Sequence, residues 1–371
     1  MSKISYSSFL PQVFLSVSGT SDESGSTIDS GSVCCTHSTR NTIVKSAFTV
    51  LVLAVGLATQ SAAADIFEPF TTANMNPFTR LHGVPQTRSA QLTTAGKLEV
   101  GLQLDVANNF TDSLSGNERI RLDGETHRTN LSLRYGLSER WELGIDLPYI
   151  RHSGGSLDGF IENWHSWFGL PNGGREDSAQ DELTYFWRHG TQTRASLTRS
   201  ESGMGDITVY AGYRLGGDDE RQWTVRAGAT LPTGDADLLT GSGGTDVFAS
   251  LHVSQASLWR SERLRFHGSI GAALLDDTDI IGATIEDWIV FGSGSLAWQV
   301  HDRVSLKTQL DFNTAAYDSD LKELGDFSTQ LTLGGSLLLG SATRLDIGVT
   351  EDIITDTSPD VVFHLALRRR F

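Results

Sequence analysis

Two sets of ionisable side chains recur at spacings that let them act together. Asp105, Asp146, Asp206, Asp246, Asp287, Asp311 and Asp352 stand near one end of alternating segments. Arg134, Arg214, Arg226, Arg265, Lys307, Arg368 and Arg370 stand toward the middle or the other end. All lie on the more polar phase of their segments. Carboxylates and guanidinium groups that line a water-filled passage select solutes by sign and concentrate counter-ions. In a narrow passage the same groups pair and fill the space, because an unpaired charge there is costly. The residues support both readings. In the first, an acidic mouth stands above a basic vestibule. Such a passage admits cations first and then resists them, favouring neutral or zwitterionic solutes.

Covalent chemistry has little to work with. The sequence lacks Gly-x-Ser-x-Gly, His-Glu-x-x-His and a phosphate loop. Its two cysteines, Cys34 and Cys35, lie in the leader, so no cysteine-based metal site is expected. No cofactor is implied. His252, His267 and His364 fall on the polar phase, where histidines serve as hydrogen-bonding groups more often than as catalysts. The formal net charge of −16 argues against a nucleic-acid partner, which needs a basic footprint.

The elements that position these groups are strands. Leu98, Val100, Leu102, Leu104 and Val106 alternate with Glu99, Gly101, Gln103, Asp105 and Ala107. The same period recurs in segments at about 97–109, 120–136, 140–152, 205–215, 221–232, 245–257, 262–275, 287–300, 303–313, 326–340, 343–352 and 360–371. About ten tilted residues match one membrane thickness. The connections alternate between short turns and longer loops, the latter at 110–119, 153–204, 233–244, 276–286, 314–325 and 353–359. That alternation predicts an all-β protein, a transmembrane antiparallel β-barrel of about twelve strands. An even count puts both ends on the periplasmic side. Outward aromatics support it. Tyr135, Trp141, Tyr213, Trp223, Trp298 and Phe371 form one girdle, and Tyr149, Trp288, Phe312, Phe327 and Phe363 the other. A soluble sandwich also alternates, but it rarely needs aromatics at both ends of its apolar stripes.

Residues 1–64 read as a leader. Arg40 and Lys45 precede the apolar run Ala47–Ala58, and Ala62-Ala63-Ala64 predicts signal cleavage before Asp65. Residues 1–43 are long for such a start. Either the true initiator is Val44 and the upstream start is misassigned, or the leader has a long first region. Residues 65–96 carry Pro69, Pro77 and Pro85 and do not alternate, so they are not a wall strand. The expectation is a periplasmic arm that enters or caps the barrel formed by 97–371; a disordered tail is the alternative. In the long extracellular loop 153–204, Phe160, Trp164, Trp167 and Phe168 recur at helical spacing; they are candidates for a lid over the mouth, or else the helix merely packs on the barrel rim. Leu183, Tyr185 and Trp187, followed by His189-Gly190, predict a hairpin.

The chain ends on an alternating strand with Phe363, Leu365, Leu367 and Phe371 in phase. This resembles the terminal signal by which outer-membrane barrels are recognised for assembly; Arg369 departs from it. Further stretches are Asp123–Thr126, Arg151–Phe160 with Trp164-His165, Leu231–Asp235 with Thr240–Asp246, Tyr317–Asp326 and Pro359–Leu365. Together they resemble a family of proteobacterial outer-membrane proteins, domain of unknown function 3187, over roughly residues 70–371. Leu231-Pro232-Thr233-Gly234-Asp235 also resembles an element of barrels proposed to carry aromatic compounds. The resemblance implies the outer membrane of a Gram-negative bacterium. Its partners would be outer-membrane lipid and the barrel-assembly machinery, with oligomeric state open. It names no solute. Three functions stay open. The first is a channel or transporter for a small solute or hydrophobic compound, with a small-molecule ligand. The second is a structural or adhesive barrel with a packed lumen. The third is a lipid-acting enzyme, which the residues favour least.

Overall fold

The computed structural model describes residues 64–157, 159, 181–276, 285–353 and 357–371. The wall begins with β1 (Leu98–Ser115), β2 (Glu118–Gly136) and β3 (Trp141–Ser153). Three short strands follow, β4 (Thr184–His189), β5 (Gln192–Leu197) and β6 (Glu201–Met204). The wall resumes with β7 (Ile207–Gly217), β8 (Arg221–Leu231), β9 (Asp246–Gln255), β10 (Leu264–Leu274), β11 (Trp288–His301) and β12 (Val304–Asn313). It ends with β13 (Ser328–Leu338), β14 (Thr343–Asp352) and β15 (Val361–Arg370). Twelve of these strands, all but β4, β5 and β6, pair antiparallel in chain order, and β15 returns to β1. Leu102 faces Leu367 and Val106 faces Phe363 across that seam, so the wall has no free edge.

Period-two sequence becomes two surfaces. In β1, Glu99, Gln103, Asp105 and Ala107 are buried toward the lumen, while Leu98 and Leu104 are exposed outside. The outer face is apolar through its middle, with Leu306, Leu310, Leu333, Ile347 and Leu365 exposed. Tyr135, Trp141, Trp223 and Trp298 ring the short-turn end, and Tyr149, Trp288 and Phe327 ring the long-loop end. An apolar belt between aromatic girdles on a closed barrel is the surface of an outer-membrane barrel. No helix among the described residues is long and apolar enough to cross a membrane.

One loop reads differently from the sequence. Residues 110–119 are not a loop: β1 and β2 run on to Ser115 and Glu118 and turn at Gly116-Asn117. Gly116 takes φ +53°, as a tight hairpin requires. The extension forms because Ile120 and Leu122 find apolar partners above the belt. There the hairpin β4–β5 pairs onto β2, with Trp187 opposite Ile120 and Tyr185 opposite Leu122. A short helix, α1 (Lys322–Gly325), sits at the same end. Ile120, Leu122, Leu183, Tyr185, Trp187, Leu197, Leu239, Ile289, Tyr317, Leu321 and Leu324 form the largest apolar cluster there, together with Phe78 and Leu81 of the arm.

The arm, residues 65–96, lies inside the barrel. Ala64 donates its backbone N–H to Ser341 in the short turn between β13 and β14. The first leg climbs to Phe78, a single 3₁₀ turn spans Thr79–Leu81, and the return leg descends to Ala95, which bridges Gly136 at the short-turn end.

Candidate functional site

The first leg runs parallel to β12 at a constant offset of 239 residues. Every inward side chain of β12 takes hold of it. Ser305 Oγ donates to the carbonyl of Ile66 at 2.6 Å, and Lys307 Nζ donates to that of Glu68. Gln309 accepts from the Phe70 N–H at 3.0 Å and donates to the Phe70 carbonyl at 3.1 Å. Thr72 donates to Asp311 at 2.6 Å, and Asn74 donates to Asn313 at 3.4 Å. Above the strand, Tyr317 donates to the Phe78 carbonyl at 3.1 Å. The stride of two matches because both segments are extended. From the other side, Gln103 of β1 clasps Thr71 through its side chain and carbonyl.

The return leg is held by different chemistry. Arg88 meets Asp146 at 2.6 Å and lies over the ring of Tyr210. Ala90 N–H donates to Ser254 at 2.8 Å, and Thr93 donates to Glu142 through both its backbone N–H and hydroxyl. Asp311 accepts Thr72 of one leg and Thr87 of the other. Gln86 and Ser89 bond across to Thr71 and Glu68 of the first leg.

The basic residues read from the sequence do gather in the lower lumen, but they do not form a basic vestibule. Arg134 pairs with Glu99 at 3.0 Å and Glu142 at 2.8 Å, and Arg226 reaches the same Glu142. Lys307 pairs with Asp346 at 3.1 Å, with Arg344 and Arg368 on its other oxygen. Arg370 joins Glu99 and Glu68, and Arg265 joins Asp65 while covering the ring of Phe67. Arg214, at the rim, is half-buried and has no ion pair among the described residues. The correction has a simple cause. Glu99, Glu142 and Asp346 share the inward phase with the arginines, and the arm brings Asp65 and Glu68 among them. Phase alone could have found the first three, together with Arg128 and Arg344; no periodicity marks Asp65, Glu68 or Arg88.

The acidic set divides. Asp105 holds His364 at 2.7 Å and Arg128 at 3.4 Å. Asp146 and Asp311 hold the arm. Asp206 accepts the N–H groups of Gly234 and Ser242, at 2.7 and 2.6 Å, and so clasps the two family stretches Leu231–Asp235 and Thr240–Asp246. Asp246 accepts from Gly83 at the arm's tip and from Asp276. Asp287 is exposed just before β11, and Asp352 ends β14 half-buried. Glu125 likewise accepts the N–H groups of Ser156 and Leu157, which joins Asp123–Thr126 to Arg151–Phe160. These stretches build the loop end around the tip. Phe160, Trp164, Trp167 and Phe168 lie outside the described residues. At the C-terminus, Leu365 and Leu367 face outward, Arg369 lies 5.2 Å over the ring of Phe371, and the Phe371 N–H donates to Leu98.

One side of the lumen keeps a small void. Between the return leg and the wall lies a cavity of about 40 Å³, bordered by Val84, Arg88, Tyr210, Phe248, Phe291 and Asp311. The three aromatics belong to alternate strands, and each faces a glycine of its neighbour, Gly144, Gly228 and Gly271. A Cβ at Gly144 would stand 2.1 Å from the Tyr210 ring, so only glycine lets the ring lie flat on the wall. Arg88 Nη1, Tyr210 OH, Arg226 Nε and Gln330 Nε2 are buried at this cavity with no hydrogen-bond partner among the described residues. A polar void of this size takes the water that such groups need.

The family model that matches spans residues 45–371. The chain belongs to the family Protein of unknown function (DUF3187). No curated protein matches this DUF3187 chain. Among solved structures, it is similar to an outer membrane channel from Pseudomonas putida F1. The identity is 14%, the TM-score 0.52, and the match covers 76% of this chain and 97% of that one. It is also similar to the NanC porin, at 10% identity and TM-score 0.39 over 73% of this chain and 97% of that one. A third is the Ralstonia pickettii toluene transporter TbuX, at 9% identity and TM-score 0.36 over 76% and 91%. At these identities the likeness is one of fold.

Proposed function

We propose that this DUF3187 protein is an outer-membrane channel or transporter for a small solute or hydrophobic compound, shut by its own N-terminal arm. The observation that carries the reading is the chemistry between arm and wall. Within the lumen both legs are held mainly by hydrogen bonds and ion pairs, such as Thr72 to Asp311 and Arg88 to Asp146. Those groups recover water when the arm leaves, so the legs part at far less cost than the halves of an apolar core. The vacated lumen would be polar except for the strip of Tyr210, Phe248 and Phe291, a surface for an apolar solute. The present cavity of about 40 Å³ is well below the ~150 Å³ that admits benzene, so the return leg moves before anything passes. Its partners are the lipid around the belt and the assembly machinery, which would read Phe363, Leu365, Leu367 and Phe371.

Ala90→Cys with Ser254→Cys tests it, since Ala90 N lies 2.8 Å from Ser254 Oγ and no natural cysteine follows Cys35. Oxidation should abolish single-channel conductance and solute uptake, and reduction should restore both. Should neither the wild type nor the reduced protein ever conduct or take up solute, the barrel is a structural or adhesive one with a packed lumen. The dense ion pairing of the lower lumen supports that second reading. A lipid-acting enzyme needs reactive groups on the lipid face, and His252, His267 and His364 are all buried on the inward phase.

A further inference from the structure

A segment that merely fills a lumen needs no register. The first leg has one, kept from Ile66 to Phe78 by successive inward side chains at a single offset of 239 residues. Most of these bonds read the main chain. Ser305, Lys307, Gln309 and Tyr317 address the carbonyls of Ile66, Glu68, Phe70 and Phe78, and Gln309 also takes the Phe70 N–H. Gln309 thereby does with its side-chain amide what a neighbouring strand does with its backbone. Among the described residues, β12 reads two positions of the first leg through their side chains: Thr72 by Asp311 and also by Gln309, and Asn74 by Asn313. Main-chain bonds give affinity for any extended peptide of the right polarity, and the side-chain positions give selectivity.

We infer that the inward face of β12 is a binding track for an extended polypeptide, which the chain's own arm occupies. The ligand class is a peptide running parallel to β12, with a small hydroxyl or amide residue at the places of Thr72 and Asn74. Such a peptide enters from the short-turn end with its carboxyl end leading, because the arm's own start lies there, beside Ser341. The tethered arm competes at a high effective concentration, so a free peptide binds well only where the arm's hold is weakened. This inference rests on the arm being displaceable, as proposed above, and adds what replaces it.

The test uses the full chain carrying Asp311→Cys, which loosens the arm at Thr72 and Thr87 and places a thiol on the track. Synthetic peptides of residues 65–78 carry one cysteine, in place of Thr72 or of the adjacent Ala73, and a third peptide has the reversed sequence. A short bis-maleimide reports which thiols come together. Cross-linking through position 72 should be at least tenfold faster than through position 73 or through the reversed peptide. It should also fall when unlabelled peptide 65–78 is added. Equal rates for the three peptides, or none above free thiol controls, overturn the inference. If Asp311→Cys does not fold, Asn313→Cys with a cysteine at position 74 makes the same measurement. Conductance is not read here. Failure of the track therefore leaves the channel reading intact, and a peptide that binds a barrel which never conducts separates the two in the other direction.

Discussion

Glu142 is fully buried, yet its two oxygens take Arg134, Arg226 and Thr93. A lumen carboxylate of this kind stands because two guanidinium groups and the arm meet it; removing one partner of such a set is expected to cost about 3–5 kcal/mol. His82 is the contrary case. It sits at the arm's tip, 3% exposed, with its ring against Tyr317 at 5.1 Å and neither ring nitrogen hydrogen-bonded among the described residues. Burial pushes its pKa down to about 4. The undocked tip takes up a proton as pH falls below about 6.5, and the docked tip does so only near 4, so docking weakens across that window. The full effect is on the order of 3 kcal/mol, by about 1.4 kcal/mol per pH unit of displacement. Stability is complete above the window and lost on acidification. Hydrogen exchange of the Val84 amide, which bonds the His82 carbonyl, should speed up between pH 6.5 and 4 in the wild type and not in His82→Phe. The same acid response in both proteins would assign it to another group, such as the neighbouring Asp246.

The hairpin β4–β5 is the element that holds the tip. Trp187 is 1% exposed and meets Phe78 and Tyr317 edge to face at 5.6 and 5.1 Å. Truncating a buried Trp removes about 3–5 kcal/mol. Because this cluster stands above the belt, the loss should stay local. Trp187→Ala should expose the tip, around Arg80, to protease added from the loop side, while the strand amides of β9 to β12 keep their exchange protection. A barrel that unfolds as a whole in Trp187→Ala would show that loop end and wall form one cooperative unit.

At the scale of the molecule, the belt sets depth in the bilayer. Ile347, mid-strand in β14, and Trp288, in the girdle, are both 55% exposed, so packing does not distinguish them. Lipid does. Arginine near the midplane costs about 2–4 kcal/mol and near an interface about 0–1. Ile347→Arg should therefore lower equilibrium stability in lipid vesicles by the larger amount and Trp288→Arg by the smaller. Equal effects would displace the proposed belt.

The wall was legible in the residues because a strand's two faces alternate strictly: one phase must meet lipid and the other cannot. Twelve segments, the inward phase of His252, His267, His364, Asp105 and Asp146, the aromatics at both ends of the belt and the closing strand to Phe371 follow from that period. So does the hairpin after Leu183. The arm is different. Pro69, Pro77 and Pro85 told only that residues 65–96 are not wall, since an extended segment bound through its own backbone carries no pattern of hydrophobicity. Which charges pair was also beyond the sequence. Arg134 could meet Glu99 and Glu142 only once the barrel's stagger brought three strands together, and Arg88 could meet Asp146 only once the arm had threaded past it. Phase gives direction, and only the closed tertiary structure gives proximity, because a buried charge such as Arg134 or Arg88 takes the partner that closure places within reach.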